Sequence, residues 1–373
     1  MKKIYIAAAL LLLTSIAHSQ QPETEPDFRP LFNGKNLDGW VPVNTAESTW
    51  SVRDGMLICT GKPIGELRTD RMYQNFVLEV EWRHMKPKGN AGIFVWADDI
   101  TSRGVPFHRS IEVQVLENAY GNTRGYTTHG DIFPIHGATM TPVNGRGGSR
   151  AFPTENRSNP SPAWNHYRIE CRDGSISLAV NGKVVTRGTD CNPRKGYICI
   201  ESEGGVVHYR NMRIMELPDT PLDPKYVAIA DRGFECLYDG IALDNWNTAG
   251  KWLPSDWILK ATSAGSIASQ QTFGNQNFIV DVRFSKSPET LGIQIGSTSV
   301  SLDPRQPDVA AALTKGQAWN RIEGQFEGDA LNLHVNGQPV KLPVTRRDTA
   351  ESALRLETTG PLELSNIYVR SAK

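Results

Sequence analysis

The sequence predicts an all-β protein of two tandem, related β-sandwich domains, and three observations carry that prediction: an internal repeat, period-two strands inside the repeated blocks, and a turn-rich composition. LFNGKNLDGW at 31–40 returns as LYDGIALDNW at 237–246, and NFVLEVEWRHMKPKGNAGIFV at 75–95 returns as NFIVDVRFSKSPETLGIQI at 277–295. WNHYRIECRDGSISLAVNGKVV at 164–185 returns as WNRIEGQFEGDALNLHVNGQPV at 319–340, and GYICIESEGGVVHYRNMRI at 196–214 returns as SALRLETTGPLELSNIYVR at 352–370. Four blocks in one order are the mark of a duplicated unit, and a duplicated unit sets the fold.

Within the blocks, Phe76, Leu78, Val80 and Trp82 alternate with Val77, Glu79, Glu81 and Arg83, the pattern of a strand with one face buried. Asn181-Gly182 and Asn336-Gly337 stand between short β-rich runs. Both residue types tolerate the positive φ of a type I′ turn, so each pair predicts a hairpin. With 33 Gly, 23 Pro and nine Trp, and no long helical period after the N-terminus, the composition favours a turn-rich β protein.

The N-terminus reads as a secretory signal peptide over 1–19. Lys2 and Lys3 precede an apolar run from Ile4 to Ala17, and small residues at Ala17 and Ser19 lead into Gln20-Gln21-Pro22. Roughly 14 apolar residues fall short of the about 20 that a membrane-spanning helix needs, so no transmembrane segment is expected and the protein is expected to be exported, to the periplasm or the cell exterior. The remaining chain exceeds what one hydrophobic core usually supports. It divides into a first sandwich at 28–217, a Pro-rich linker at 218–232 and a second, degenerate sandwich at 233–373.

Charge is balanced, 40 basic against 40 acidic residues, which supplies no basic field for nucleic acid or an anionic membrane. The five cysteines, Cys59, Cys171, Cys191, Cys199 and Cys236, are odd in number and show no zinc spacing. Cys171 and Cys199 lie on apolar strand patterns and read as buried small hydrophobes.

The two copies differ most between the strand that opens at a glycine and the following Trp. About 70 residues separate Gly92 from Trp164, and fewer than 30 separate Gly292 from Trp319. The first copy therefore carries an insertion from about 97 to 163, and long loops on a rigid sandwich are where function concentrates. In SIEVQVLEN, Glu112 and Gln114 share the strand face opposite Ile111, Val113 and Val115, which suits either a solvated face or a saccharide platform. Asn90 and the aromatic Trp96 of GNAGIFVW stand alongside as candidate sugar contacts, although such aromatics also serve as core. YTTHGDIFPIHGA supplies His129, Asp131 and His136. His and Asp two residues apart could hold a divalent cation, form a base with its orienting carboxylate, or order the loop. Glu201 and Glu203 share one face, and either could complete a carboxylate pair with Glu112. The second copy keeps Glu357 at the place of Glu201 but has no match to Glu112 or His129. No GxSxG, Walker loop, dinucleotide fingerprint or HExxH occurs.

Taken together, LFNGKNLDGW, GNAGIFVW, SIEVQVLEN, HGDIFPIHGA, WNHYRIEC with VNGKVV, and KGYICIESEGGVVHYRNMRI resemble the 3-keto-disaccharide hydrolase family across about 28–217, the second copy doing so in outline only. The resemblance implies concanavalin/laminin-G-like jelly-roll sandwiches. It also implies cleavage of 3-keto glycosides, substrates whose C3 hydroxyl a partner glycoside 3-dehydrogenase has oxidised. A C3 ketone acidifies the C2 proton, so the reaction asks for a base, a stabiliser of the enolate oxygens and an acid for the leaving group. On that reading His129 oriented by Asp131 is the base, Glu112 an acid/base or metal ligand, and Gln114 an oxygen-positioning donor. Asn90, Trp96 and His136 contact sugar, and a divalent metal ion could sit on Glu112 and His129. Two other readings stand beside it: an ordinary glycosidase using Glu112 and Glu201, and a noncatalytic carbohydrate-binding protein.

Overall fold

A computed structural model describes residues 27–120, 129–230, 233–285 and 289–370; the signal peptide read at 1–19 lies outside the described residues. Four antiparallel sheets build two jelly-roll sandwiches. In the first, a nine-stranded sheet faces a six-stranded one, whose strands run in the spatial order Trp40–Val43, Gly65–Thr69, Tyr197–Ser202, Gly92–Ala97, Ser110–Gln114, Ile132–Ile135. In the second, an eight-stranded sheet faces a six-stranded sheet ordered Trp246–Ala249, Gly265–Phe273, Ser352–Thr358, Leu291–Ile295, Thr298–Leu302, Thr345–Arg346. The first five strands of the two six-stranded sheets are thus wired alike, as the repeat predicts, whereas the sixth comes before the WNHYRIEC block in the first copy and after the equivalent block in the second. The one α-helix among the described residues, Pro307–Ala312, is confined to the second copy.

Strand periodicity decides which side of each sheet is core. Phe76, Leu78, Val80 and Trp82 enter the first core with Leu67, Ile93, Val95, Ile111, Val113, Ile132, Ile198 and Ile200 from the facing sheet. Trp82 meets Tyr167 edge-on at 5.2 Å between ring centroids, a favoured aromatic geometry. The Asn-Gly pairs turn as expected, with φ of 47° and 87° at Asn181 and Gly182 and 53° and 75° at Asn336 and Gly337. All five cysteines are free thiols. Among the described residues, no helix is long and apolar enough to cross a membrane.

Trp96 corrects the alternation argument. Simple alternation puts Phe94 and Trp96 on one face, but Trp96 has φ 56° and the pairing register slips between Tyr197 and Cys199. Such a bulge reverses which face the side chains beyond it occupy. Phe94 therefore points out of the sandwich, while Trp96 turns inward, fully buried, its indole N–H donating to Gln74 O at 2.8 Å. Trp96 is a core residue and no platform for a sugar. Trp96→Ala should cost about 3–5 kcal/mol of stability, measured by urea denaturation, with substrate affinity unchanged in the fraction that stays folded.

Candidate functional site

The outer face of the six-stranded sheet in the first sandwich is polar yet buried. Its strands bring Glu66 opposite Glu201, Gly92 opposite Gln114, and Phe94 between Cys199 and Glu112. Glu66, Glu201, Glu112 and Gln114 are all buried beneath side chains of the insertion. Phe107 packs edge-on against Phe94, His108 bonds Glu66, and Arg150 stacks over Phe133, the register partner of Glu112, 3.4 Å from the ring centroid.

Gly92 makes the centre of this face possible. A Cβ there would lie 2.9 Å from Glu112 Oε1 and 3.0 Å from Glu201 Oε2, so both oxygens are aimed at the gap that the missing side chain leaves. The two carboxyl oxygens therefore lie no more than about 6 Å apart. Glu201 Oε2 is buried with no hydrogen-bond partner. Behind it, Glu203 accepts from the Asn90 amide, and Asn90 Oδ1 accepts from Gln114 Nε2 at 2.9 Å.

Electrostatics follow from this crowding. Burial, then repulsion from Glu203 and other nearby carboxylates, raises Glu112 and Glu201 well above the usual carboxylate range. Glu203 is raised as well, by burial, against the hydrogen bonds it receives from Glu201 and Asn90. Neighbouring carboxyls crowded in this way each disfavour the ionised form of the others. Arg150 opposes the trend at Glu112 while pairing with Asp131 at 2.9 Å.

The expected residues distribute unevenly. Glu112, Glu201, Gln114 and Asn90 meet on the one face. Gln114, expected to be a donor toward substrate, instead engages its Nε2 within the protein, donating to Asn90 Oδ1 and the Ala91 carbonyl, which leaves its carbonyl oxygen as the group able to accept from a hydroxyl. His129 and Asp131 do not act as a dyad. Asp131 engages Arg150, whereas His129 Nδ1 lies 2.6 Å from the hydroxyl of Ser158, which itself donates to Asn118. Gly130 between them, at φ +79°, turns the two side chains to different neighbours. Burial pulls the His129 imidazole down to about 4, which keeps it neutral and makes it a weak base. Among the described residues, the His, Cys and carboxylate atoms that converge as a set of three are those of Glu66, His108 and Cys199. His136 stacks on Phe107 and lines a cleft of about 430 Å³ between the sandwiches, away from the carboxylate pair.

The model of the 3-keto-alpha-glucoside-1,2-lyase-like domain matches residues 27–215, the whole of the first sandwich. The chain belongs to this family. It is the family its motifs resemble, and its domain is carbohydrate-active. No curated protein matches the chain. Among solved structures, two glycosyl-hydrolase candidates of Parabacteroides distasonis are similar. One is 20% identical, with TM-score 0.41 over 51% of this chain and 94% of its own. The other is 23% identical, with TM-score 0.38 over 51% and 100%. A Bacillus licheniformis β-glucanase is 15% identical, with TM-score 0.35 over 52% and 100%.

In the lyase-like domain the sequence reading missed Glu66, His108 and Arg150. Glu66 alternates with Leu67 in GELRT, a signal equal to that of Glu112, but only the sheet order shows that it neighbours Glu201. The second sandwich carries different residues at several of the equivalent positions. Ser266 faces Glu357 as Glu66 faces Glu201, Ser299 faces Gln294 as Glu112 faces Phe94, and Ser301 faces Gly292 as Gln114 faces Gly92. Glu357 itself is exposed, 3.5 Å from Arg355.

Because folding raises the Glu112 and Glu201 pKa values, their burial is harmless below the ordinary carboxylate value and increasingly destabilising as pH rises through the raised values. Glu201→Gln should therefore raise the melting temperature at pH 8, by on the order of 2–4 °C per kcal/mol relieved, and leave it unchanged at pH 4. Gly92→Ala should separate the pair, abolishing activity while the circular dichroism spectrum stays native.

Proposed function

We propose that the protein is an exported enzyme that cleaves 3-keto glycosides by removing the C2 proton and expelling the C1 substituent, with water adding back where net hydrolysis results. The observation that carries this reading is the carboxyl pair of Glu112 and Glu201 facing one gap over Gly92, both raised above the usual carboxylate range. An elimination beside a ketone needs a base and an acid at neighbouring carbons, and two coupled carboxyls that hold one proton supply both. The ionised member takes the C2 proton. The protonated member gives its proton to the departing glycosidic oxygen.

As the C2 proton leaves, charge develops on the C3 oxygen. Arg150, fixed by Asp131 and by the Phe133 ring, is the cation placed beside Glu112 to stabilise it. The Gln114 carbonyl accepts from a sugar hydroxyl, and the Asn90–Glu203 link holds that amide in place. Should the enzyme take a divalent cation, the all-oxygen set of Glu112 and Glu201 fits a hard ion, which would polarise the keto and hydroxyl oxygens when bound. The ketone itself must come from an oxidising partner, a glycoside 3-dehydrogenase, and the signal-like N-terminus supports work outside the cytoplasm.

One observation favours a second reading. Two carboxyls facing one gap are also what a retaining glycosidase uses, as nucleophile and acid/base. The substrates separate the two. Purified protein should release aglycone from a 3-keto glucoside and leave the unoxidised parent intact, and Glu112→Gln and Glu201→Gln should each lower kcat by about 10²–10⁴-fold. Turnover of the parent glycoside at equal rate would overturn the proposal. Assays with a chelator decide the metal: undiminished activity after exhaustive chelation assigns the chemistry to the carboxyls alone.

A further inference from the structure

The second sandwich has lost the carboxylates, yet it is bolted to the segment that roofs the first sandwich's site. The segment 99–108 begins the insertion. At its tip, the Gly104 N–H donates to Asp281 Oδ2 at 2.8 Å, and Trp257 Nε1 donates to the Gly104 carbonyl at 3.3 Å. Asn366 Nδ2 donates to the carbonyls of Ser102 and Val105, each at 3.0 Å, and to Asp281 Oδ2 at 2.7 Å. Arg321 donates twice to the Asp281 carboxylate, both at 2.8 Å, and to Thr101 O at 2.7 Å. Thr101 meets the Tyr368 hydroxyl at 2.9 Å. Asp281, Asn366 and Thr101 are fully buried. Desolvated, charge-assisted hydrogen bonds of this kind hold one geometry far better than exposed pairs do.

At its other end the same segment delivers His108 to the site. His108 donates through its backbone N–H to Glu66 Oε1 at 3.0 Å and through Nδ1 to Glu66 Oε2 at 2.5 Å, while Nε2 lies 3.3 Å from the Asp99 carbonyl. Glu66 is the carboxylate opposite Glu201, and its charge raises both Glu112 and Glu201.

We propose that the second sandwich is a positioning domain: Asp281, Arg321 and Asn366 clamp the 101–105 tip so that His108 holds Glu66 beside the catalytic carboxyl pair. Duplication followed by loss of the second site has left a rigid partner whose surface reads backbone groups of the loop. Nothing in the clamp touches substrate, so its residues act through His108 and Glu66. The functional consequence rests on the carboxyl-pair reading above; the placement of the loop does not.

Two substitutions in the full-length protein approach the clamp from opposite sides. Asn366→Gly keeps the left-handed backbone, φ 48°, and deletes the three bonds its Nδ2 donates together with the one its Oδ1 accepts from Asn44 Nδ2 at 3.0 Å. Gly104→Ala introduces a Cβ that would lie 2.1 Å from Trp319 Cγ at φ +73°, prying the loop away without altering the second core. Glu357→Gln, on the exposed face of the second sandwich, is the control. Hydrogen exchange read by mass spectrometry should accelerate in segments 99–109 and 65–69 of both clamp variants, with the remainder of both sandwiches protected as in the wild type. On a 3-keto glucoside, kcat should fall about 10–100-fold, as a displacement of about 1 Å commonly does, with KM little changed and the limbs of the pH–rate profile moved. Unchanged exchange at 65–69, or accelerated exchange there with kcat and pH profile intact, would overturn the proposal. If the wild type turns over no 3-keto glycoside, the functional reading fails by itself, and the exchange at 65–69 still tests whether the clamp sets the position of Glu66.

Discussion

The structure depends on burying several carboxyl groups together over a position that has no side chain. Water is excluded from Glu66, Glu112 and Glu201 because the sandwich beneath them is densely packed and the insertion covers them above. Each would be better solvated on an open face, so the arrangement is a local cost carried by the rest of the fold. On the proposed mechanism, the glycine at 92 turns that cost to use. Without a Cβ between them, two carboxyls can approach one substrate carbon and its neighbour from the same sheet.

Much of this was legible in the sequence, for a physical reason. Strand alternation has a period of two, so Glu112 and Gln114 could be separated from Ile111, Val113 and Val115 without any knowledge of the fold. The repeat then showed which polar positions one copy kept and the other lost, and it found the insertion. The family and the jelly-roll architecture followed from motifs spread along the first copy.

The features that escaped depended on events that alternation cannot see. A single residue at positive φ turned Trp96 from the outer face into the core. His129 and Asp131 are close in sequence, but the glycine between them decides what each one faces, and they face Ser158 and Arg150. Glu66 and His108 are 42 residues apart, and they meet only because the sheet order places Gly65–Thr69 beside Tyr197–Ser202 and the clamped loop returns His108 over both. Long-range pairing of this kind is set by topology, and spacing in sequence carries no record of it.

The central claim is that the pair across Gly92 removes the proton at C2 of a ketone-bearing sugar ring. Following a 3-keto glucoside by proton NMR in deuterated buffer tests it most directly. The account predicts that the wild-type enzyme replaces the C2 hydrogen with deuterium in substrate or product, and that Glu112→Gln and Glu201→Gln suppress this replacement together with cleavage. Cleavage that leaves the original C2 hydrogen in every product molecule would contradict it.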